Sequence, residues 1–241
     1  MSPLNVLQFA AMGLMTVLIG VPAVLIGLLI PGRSRKGRFF RYVAKAYCGL
    51  SLPLFRIRVR ATGLENIDPA KPYVFMANHI SHADAPALAV ILPQPIHWVF
   101  KKELGAIPFF GWALRAGGQI MVDRADRQQA AGALRKALEG LSGNNSIMIY
   151  PEGTRSRDGR LLPLKKGGFR IAVQSGIPIV PVRVSGTREI VAADSLRVIG
   201  GTAFIEILPP ISADGKTPAD IPELMAAVRA ALSPSGGPAP E

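Results

Sequence analysis

The longest apolar stretch of the chain lies near its start, at residues 4–30, and reads LNVLQFAAMGLMTVLIGVPAVLIGLLI. Its only strongly polar members, Asn5 and Gln8, stand at its beginning. As a helix it would extend about 40 Å, enough to cross a bilayer core of about 30 Å. A secretory signal peptide fits poorly, since the stretch is too long and no small-x-small cleavage pattern follows it. The pattern predicts a retained membrane anchor, while Pro22 and nearby glycines leave open a kinked helix lying partly in one leaflet.

Two amphipathic segments follow this stretch. Residues 35–54 carry apolar side chains at helical spacing with basic side chains between them, which predicts an interfacial helix. Residues 56–62, RIRVRAT, alternate strictly between basic and apolar side chains, which predicts a strand with one solvent-exposed face. We therefore assign residues 1–55 to a membrane anchor with a basic interfacial helix.

From residue 72 onward, short apolar strands alternate with helical stretches. The predicted strands read PYVFMAN, IHWVF, QIMVD, SIMIY, IPIVPV and TAFIEIL, and the predicted helices are residues 82–92, 108–117, 126–141, 168–176 and 219–232. This alternation predicts an α/β fold, a mixed sheet layered with helices, over a domain of residues 56–232. Residues 233–241, SPSGGPAPE, have the composition of a flexible tail.

The charge of the chain changes the picture because it is unevenly placed. A net charge of +12 suggests nucleic acid, but nine Lys and Arg residues precede the first acidic residue, Glu65. The remaining 19 nearly balance the 16 Asp and Glu residues. Basic residues beside an apolar run favour an anionic membrane surface, where each contributes about 1 kcal/mol. We therefore expect membrane lipids as partners, no nucleic acid, and a location at the cell membrane with the main domain on the cytoplasmic side.

The segment NHISHAD, residues 78–84, concentrates two of the three histidines of the chain. It follows directly on a predicted strand, so His79 stands at a strand end, a common position for catalytic groups in α/β folds. If the loop folds Asp84 back to the imidazole, the pair has the form needed to take a proton from a hydroxyl.

The same segment admits three other interpretations. In the first, the segment is a helix cap beside a core histidine, with Ser81 as the cap. In the second, His79, His82 and Asp84 form a metal site, for which His97 is the only further histidine. In the third, the segment supplies two members of a serine hydrolase triad, although no GxSxG elbow occurs.

Two further segments carry groups suited to anions. In YPEGTRS, residues 150–156, Gly153 lets backbone N–H groups approach a ligand, and Arg155 offers a bidentate donor for phosphate. A plain turn with a solvated arginine explains this loop nearly as well when it is taken alone. In residues 101–124, Lys101 ends a strand beside a dense apolar cluster. The cluster is either part of the core or an apolar wall next to the lysine cation, a pairing that a phospholipid precursor would require.

The segments NHISHAD, KKELGAIPFFGW with GGQIMVDR, YPEGTRS and IPIVPV, in this order and spacing, resemble the four motif blocks of the 1-acylglycerol-3-phosphate acyltransferase family. The resemblance is close over residues 72–184 and loose to about residue 230. It implies transfer of a fatty acyl group from acyl-CoA or acyl carrier protein to the sn-2 hydroxyl of lysophosphatidic acid, which gives phosphatidic acid. It implies direct attack without an acyl-enzyme, and no cofactor or metal.

The resemblance also assigns roles to residues. His79 would be the general base and Asp84 would orient and charge-stabilise it, while the acceptor phosphate would be bound by Lys101, Glu152, Gly153, Thr154 and Arg155. Motif position favours His79 over His82 as the base, and His82 has no assigned role. Tyr150 replaces a commoner Phe, a change expected to be minor.

Other functions remain open at this point. Within the same reaction class the acceptor could be glycerol-3-phosphate, another lysophospholipid or a lyso-ornithine lipid. From different classes, the alternatives are a metal-dependent hydrolase and an inactive lipid-binding protein.

Overall fold

Two long helices, packed side by side in opposite directions, form the amino-terminal part of the molecule. The structure is a computed structural model that describes residues 2–123, 145–192 and 194–233, together with residues 132 and 138. Helix α1 spans Pro3–Leu29 and helix α2 spans Arg33–Leu54. Of the helices described, α1 alone is long and apolar enough to cross a membrane, and only 11% of its most apolar stretch is buried. The helix therefore has the length and exposed apolar surface expected of a membrane-associated segment.

A seven-stranded sheet forms the centre of the domain that follows. Its strands are β1 (Ile57–Thr62), β2 (Val74–Ala77), β3 (Ile96–Lys101), β4 (Ile120–Val122), β5 (Ser146–Ile149), β6 (Ile179–Ser185) and β7 (Gly201–Ile207). The spatial order is β1-β7-β6-β2-β5-β3-β4. Strands β6, β2, β5, β3 and β4 run parallel, β7 is antiparallel to β6, and β1 is parallel to β7. The predicted mixed α/β sheet is confirmed.

Helices cover both faces of the parallel strands. They are α3 (Asp84–Ile91), α4 (Phe110–Ala116), α5 (Gly167–Ser175), α6 (Thr187–Ile190) and α7 (Ile221–Leu232), with 3₁₀ turns at Leu64–Asn66, Lys102–Ala106 and Pro218–Asp220. The predicted helices lie where the pattern placed them, with ends shifted by a few residues. The predicted helix at 126–141 and nearly all of the predicted tail lie outside the described residues.

The core has two apolar layers, one on each side of the sheet. In β2, Phe75 packs toward α3, whereas Val74 and Met76 pack toward α5 and α7. All four residues of β2 and of β5 are buried, as expected for parallel strands covered on both faces. Helix α2 lies against α3, so the amino-terminal pair of helices rests on one of these layers. The division of the chain at residue 55 stays a prediction.

Candidate active site

The candidate site lies where three neighbouring parallel strands end. His79 follows β2, Glu152 follows β5, and Thr187 follows β6. Because the carboxyl ends of parallel strands meet at one edge of a sheet, the loops after them share a crevice. Residues far apart in sequence therefore meet here.

A buried carboxylate holds the imidazole of His79. Asp84 Oδ2 lies 2.7 Å from His79 Nδ1 and accepts the backbone N–H groups of Ile80 (2.8 Å) and Ser81 (2.9 Å). Its other oxygen, Oδ1, accepts the hydroxyl of Thr187 at 2.6 Å. The Asp84 side chain is fully buried, whereas that of His79 is 18% exposed. With Nδ1–H directed at the carboxylate, Nε2 keeps the lone pair that a general base requires.

The prediction that Ser81 caps α3 is wrong. The helix begins after Ala83 and has no side-chain cap. The Ser81 hydroxyl instead donates to the carbonyl of Val191 (2.7 Å) and accepts the N–H of Ala83 (3.1 Å). Asp84, the first residue of the helix, turns its carboxylate back onto the preceding loop. That fold-back is what brings it to the imidazole five residues earlier.

The loop at 150–156 holds the backbone of His79 on both sides. Glu152 Oε1 accepts the N–H of His79 (2.8 Å), and Oε2 accepts the N–H of Leu162 (2.8 Å). The carbonyl of His79 accepts the N–H of Ser156 at 2.8 Å. Burial raises the pKa of Glu152, against the lowering effect of these two backbone bonds. Glu152 is 2% exposed, and both of its carboxylate oxygens accept backbone N–H groups. Its predicted part in substrate binding stays a prediction.

Tyr150 forms the floor beneath the imidazole. Its ring is stacked on His79 with centroids 3.8 Å apart and an interplanar angle of 14°. Its hydroxyl is buried and has no hydrogen-bond partner among the described residues. Burial, and then the charge of Asp84, raise the pKa of this phenol well above its ordinary value. The phenol therefore stays neutral, and its flat face restricts the tilt of the imidazole.

His82 belongs to a different contact from His79. Its imidazole is in hydrogen-bond contact with the guanidinium of Arg155. Burial, followed by the charges of Arg155 and His79, lowers the pKa of His82, so the neutral ring is favoured and can accept from the guanidinium. The histidine without an assigned role thus lies against the arginine predicted to bind phosphate.

The three histidines do not converge on one point. His97, on β3, bonds the carbonyl of Gly118 through Nδ1 at 3.0 Å. Over the ranges that the structure describes, no three His, Cys, Asp or Glu side chains are grouped as ligands of one metal ion. Within the described part of the chain, His79, His82 and Asp84 therefore do not form a set of metal ligands.

A second cation lies beside the loop that carries Arg155. Gly153 has a φ of +74°, and a Cβ at this position would come within 2.9 Å of Lys165 Nζ. The loop is also tied to this neighbour by the Lys165 N–H, which donates to the carbonyl of Pro151 (2.8 Å). Thr154 is exposed. The glycine thus permits a close approach of the lysine to the loop that carries Arg155.

Lys101 lies at the same edge of the sheet but farther from the imidazole. It ends β3, which is two strands from β2, a separation of about 10 Å at ordinary strand spacing. Its Nζ pairs with Glu103 Oε1 at 2.9 Å, and both side chains are exposed. Its role in phosphate binding stays a prediction.

Sequence reasoning missed two residues that build the site. Thr187 contacts Asp84, and Asn78 bonds both backbone groups of Val184 (2.8 and 2.7 Å), which holds the end of β2 to β6. The signal for Thr187 was its position just after a buried strand. The resemblance includes that strand, IPIVPV in the sequence, among its four motif blocks, but it assigns no role to the residues that follow the strand.

Comparisons with known proteins agree on one family. Residues 58–185 match the family model described as Acyltransferase. The 1-acyl-sn-glycerol-3-phosphate acyltransferase of Saccharomyces cerevisiae is 37% identical over 231 residues, which cover 95% of this chain and 74% of that protein. The alpha form of the human enzyme with the same name is 33% identical over 177 residues, or 73% of this chain and 62% of that protein.

A solved structure has the same fold. The LPA acyltransferase PlsC from Thermotoga maritima matches with a TM-score of 0.79 at 26% identity, over 95% of this chain and 92% of that chain. The family match covers all four motif segments, three of which hold the predicted site residues. Together with the yeast relative, it shows that this chain belongs to the acyltransferase family of enzymes.

Proposed function

We propose that this protein transfers a fatty acyl group from a thioester to the sn-2 hydroxyl of 1-acylglycerol-3-phosphate, which gives phosphatidic acid. The observation that carries the proposal is the imidazole of His79, held at 2.7 Å by the buried carboxylate of Asp84. The yeast and human relatives and the Thermotoga structure all carry the name of this reaction.

The chemistry needs one base and no covalent intermediate with the protein. Nε2 of His79 takes the proton of the acceptor hydroxyl while the hydroxyl oxygen attacks the thioester carbonyl carbon. The tetrahedral intermediate collapses with cleavage of the C–S bond, and the imidazolium returns the proton to the departing thiolate. Asp84 stabilises the imidazolium between these two steps. Proton transfer of this kind contributes about 10²- to 10⁴-fold in rate.

The acceptor phosphate has a binding surface beside this base. Arg155 and Lys165 present two cations on the loop that also holds the backbone of His79. Contact with His82 fixes the Arg155 guanidinium before substrate arrives, which reduces the entropy lost on binding. We assign Gly153 and Thr154 to the same phosphate-binding surface and Lys101 to the outer rim of that surface. We assign Glu152 to the support of the loop.

The amino-terminal helix fits attachment to one leaflet better than a perpendicular span. Near its start, Asn5 Nδ2 donates to the carbonyl of Val198 (2.8 Å) and Gln8 Nε2 to that of Leu54 (2.9 Å). Near its end, Gly27 lies against the ring of Phe40. Phe40 belongs to α2, but α1 also packs against α4 of the domain. A helix of about 40 Å that contacts the domain at Val198 and at α4 lies along the domain. The exposed apolar side chains then enter the lipid from the side: Leu4, Leu7, Leu14, Leu18, Leu25, Leu28 and Leu29.

This placement suits a substrate whose acyl chain is in the bilayer. We propose that the domain lies on the cytoplasmic face of the cell membrane, where acyl-CoA and acyl carrier protein are found, and where basic residues after an apolar helix are retained. Protease protection of sealed vesicles with the enzyme on one side tests this. Cleavage of both ends of α1 from the same side supports attachment to one leaflet, and protection of one end indicates a span.

The reaction is tested with the full chain in lipid vesicles. The acceptors are lysophosphatidic acid, glycerol-3-phosphate, lysophosphatidylcholine and a lyso-ornithine lipid, each with acyl-CoA and with acyl carrier protein thioesters. We expect lysophosphatidic acid to be the preferred acceptor and His79→Ala to abolish transfer with the fold intact. Residual activity in His79→Ala, with loss in His82→Ala, would move the base to His82.

The phosphate surface has a matched control two residues away. Charged hydrogen bonds are worth about 1.5–3 kcal/mol, so Arg155→Gln should raise KM for lysophosphatidic acid about 10- to 100-fold. Arg157→Gln removes the same charge from an exposed neighbour and should leave KM nearly unchanged. If Arg155→Gln alters only the dependence on the acyl donor, the phosphate assignment is incorrect.

A further inference from the structure

A polar cavity lies at the opposite end of the parallel strands from His79. It has a volume of about 570 Å³ and is enclosed by α2, the end of α3 and the start of β3. It lies at the amino ends of the parallel strands, whereas His79 follows a carboxyl end. The volume is within the range of small-molecule sites. The cavity is separate from the site of acyl transfer.

One helical face gives this cavity a positive wall. Arg38, Arg41 and Lys45 line it at positions i, i+3 and i+7 of α2, which places them on the same side of the helix. None of the described lining residues is acidic. Burial, followed by the neighbouring charge of Arg38, lowers the pKa of Arg41. An anion in the cavity would offset this crowding of like charges.

The opposite wall contains a hydrogen-bond acceptor, in Gln94, that has no donor among the described residues. Gln94 is 5% exposed, and its Nε2 donates to the carbonyl of Asp68 at 3.2 Å. Its Oε1 is buried and has no partner among the residues described. Buried amide oxygens normally accept a hydrogen bond. A ligand that fits this cavity therefore brings a donor as well as a negative charge.

The position of the cavity indicates where such a ligand comes from. Its basic wall is the side of α2 that faces away from α1, because Phe40 and Tyr47 on the other side of α2 contact α1. The wall therefore lies about one helix diameter from the exposed apolar helix α1. Phospholipid head groups lie at the depth where an apolar helix meets a basic one. We propose that the cavity binds the head group of an anionic phospholipid that bears a hydroxyl, with the phosphodiester at Arg38, Arg41 and Lys45 and the hydroxyl donating to Gln94 Oε1.

The proposal is independent of the acyl-transfer reaction and is tested by binding. Flotation of the full chain is compared on phosphatidylcholine vesicles containing equal amounts of phosphatidylglycerol or phosphatidylmethanol. Both lipids carry the same phosphodiester and the same charge, but phosphatidylmethanol has no head-group hydroxyl. We expect tighter binding to phosphatidylglycerol. Gln94→Met should bring the two affinities together without a change in protein charge.

A matched pair of charge variants separates the cavity from general attraction. Arg41→Gln with Lys45→Gln should weaken phosphatidylglycerol binding about fivefold per charge and remove the preference. Arg58→Gln with Arg60→Gln removes two exposed charges of β1 and should weaken binding to both lipids equally, with the preference retained. Acyl transfer in neutral detergent micelles, together with the thermal midpoint, reports on folding of each variant.

Three results would overturn the proposal. The first is equal binding of the unaltered chain to the two vesicles. The second is a preference for phosphatidylglycerol that persists in both Gln94→Met and the Arg41 and Lys45 double variant. The third is Gln94-dependent binding of soluble glycerol phosphate in calorimetry without any vesicle preference, which would make the ligand a soluble phosphate ester.

Discussion

Replacement of Asp84 by asparagine tests whether the negative charge, and not only the hydrogen bonds, serves the reaction. The amide oxygen can take the place of Oδ2 and accept from His79 Nδ1, Ile80 N–H and Ser81 N–H. The amide nitrogen then takes the place of Oδ1 and donates to the hydroxyl of Thr187, which can accept as well as donate. Asp84→Asn therefore removes the charge while every hydrogen bond in this cluster is retained.

The size of the effect follows from the role of the imidazolium. General base catalysis contributes about 10²- to 10⁴-fold, and the carboxylate stabilises the charged ring that this step creates. We expect kcat of Asp84→Asn to fall about 10²- to 10³-fold, with KM for the acceptor nearly unchanged. Asp84→Ala differs because it leaves the N–H groups of Ile80 and Ser81 without a partner. At about 1–3 kcal/mol each, these cost about 2–6 kcal/mol, a large part of a typical folding free energy.

Two measurements distinguish these outcomes. Thiol release from acyl-CoA gives kcat and KM, and urea unfolding gives the free energy of unfolding. Asp84→Asn should be slow and nearly as stable as the unaltered chain, whereas Asp84→Ala should be slow and strongly destabilised. A kcat within a fewfold of normal in Asp84→Asn would refute the charge argument. Equal destabilisation by both changes would refute the proposed exchange of amide and carboxylate.

Three further changes test the groups around the imidazole. Tyr150→Phe keeps the stacked ring and removes a buried hydroxyl without a described partner. The value of kcat should therefore be unchanged, and the free energy of unfolding should stay the same or rise by about 1 kcal/mol. A clear loss of stability in urea unfolding would show that the hydroxyl has a partner. The lowered pKa of His82 means that the unfolded chain binds more protons, so stability falls as pH drops below the ordinary histidine range. His82→Gln should make this fall in stability smaller. An unchanged dependence of stability on pH in His82→Gln would contradict the assignment. The raised pKa of Glu152 means that the folded chain binds more protons, so its contribution to stability declines as pH rises from the ordinary glutamate value through the raised one. Glu152→Gln should remove this dependence of stability on pH. The variant also loses one hydrogen bond to the backbone, which should lower stability at acidic pH by about 1–3 kcal/mol. An unchanged stability at every pH would contradict both expectations.

Much of the fold was predictable because periodicity reports burial. Strand β2 is apolar at every position, a pattern typical of a strand covered on both faces, and β1 alternates, so it predicted one exposed face. The position of His79 was predictable for a related reason, since polar residues that follow a buried strand lie at the sheet edge. These signals are local, and local patterns predict local structure.

The rest of the site depends on contacts between distant segments. Thr187 meets Asp84 across 103 positions, and Arg155 meets His82 across 73, so neither contact leaves a trace in spacing. Ser81 was assigned to a helix cap because its residue type favours caps, but a contact with Val191, 110 positions away, determines where its hydroxyl points. Tertiary contacts of this kind override local preference.

Helix α3 links the candidate active site to the amino-terminal helices. Its first residue supplies the carboxylate that holds His79, its buried side chains Ala87 and Leu88 pack on the sheet, and α2 lies against it. An eight-residue helix is about 12 Å long, so the proposed base is separated from α2 by little more than that length of rigid backbone. For an acceptor whose chain is fixed in the bilayer, a short and stiff connection sets the height of the base above the lipid. With a long flexible linker, that height would vary. The alignment of hydroxyl and imidazole, on which the rate depends, would then vary as well.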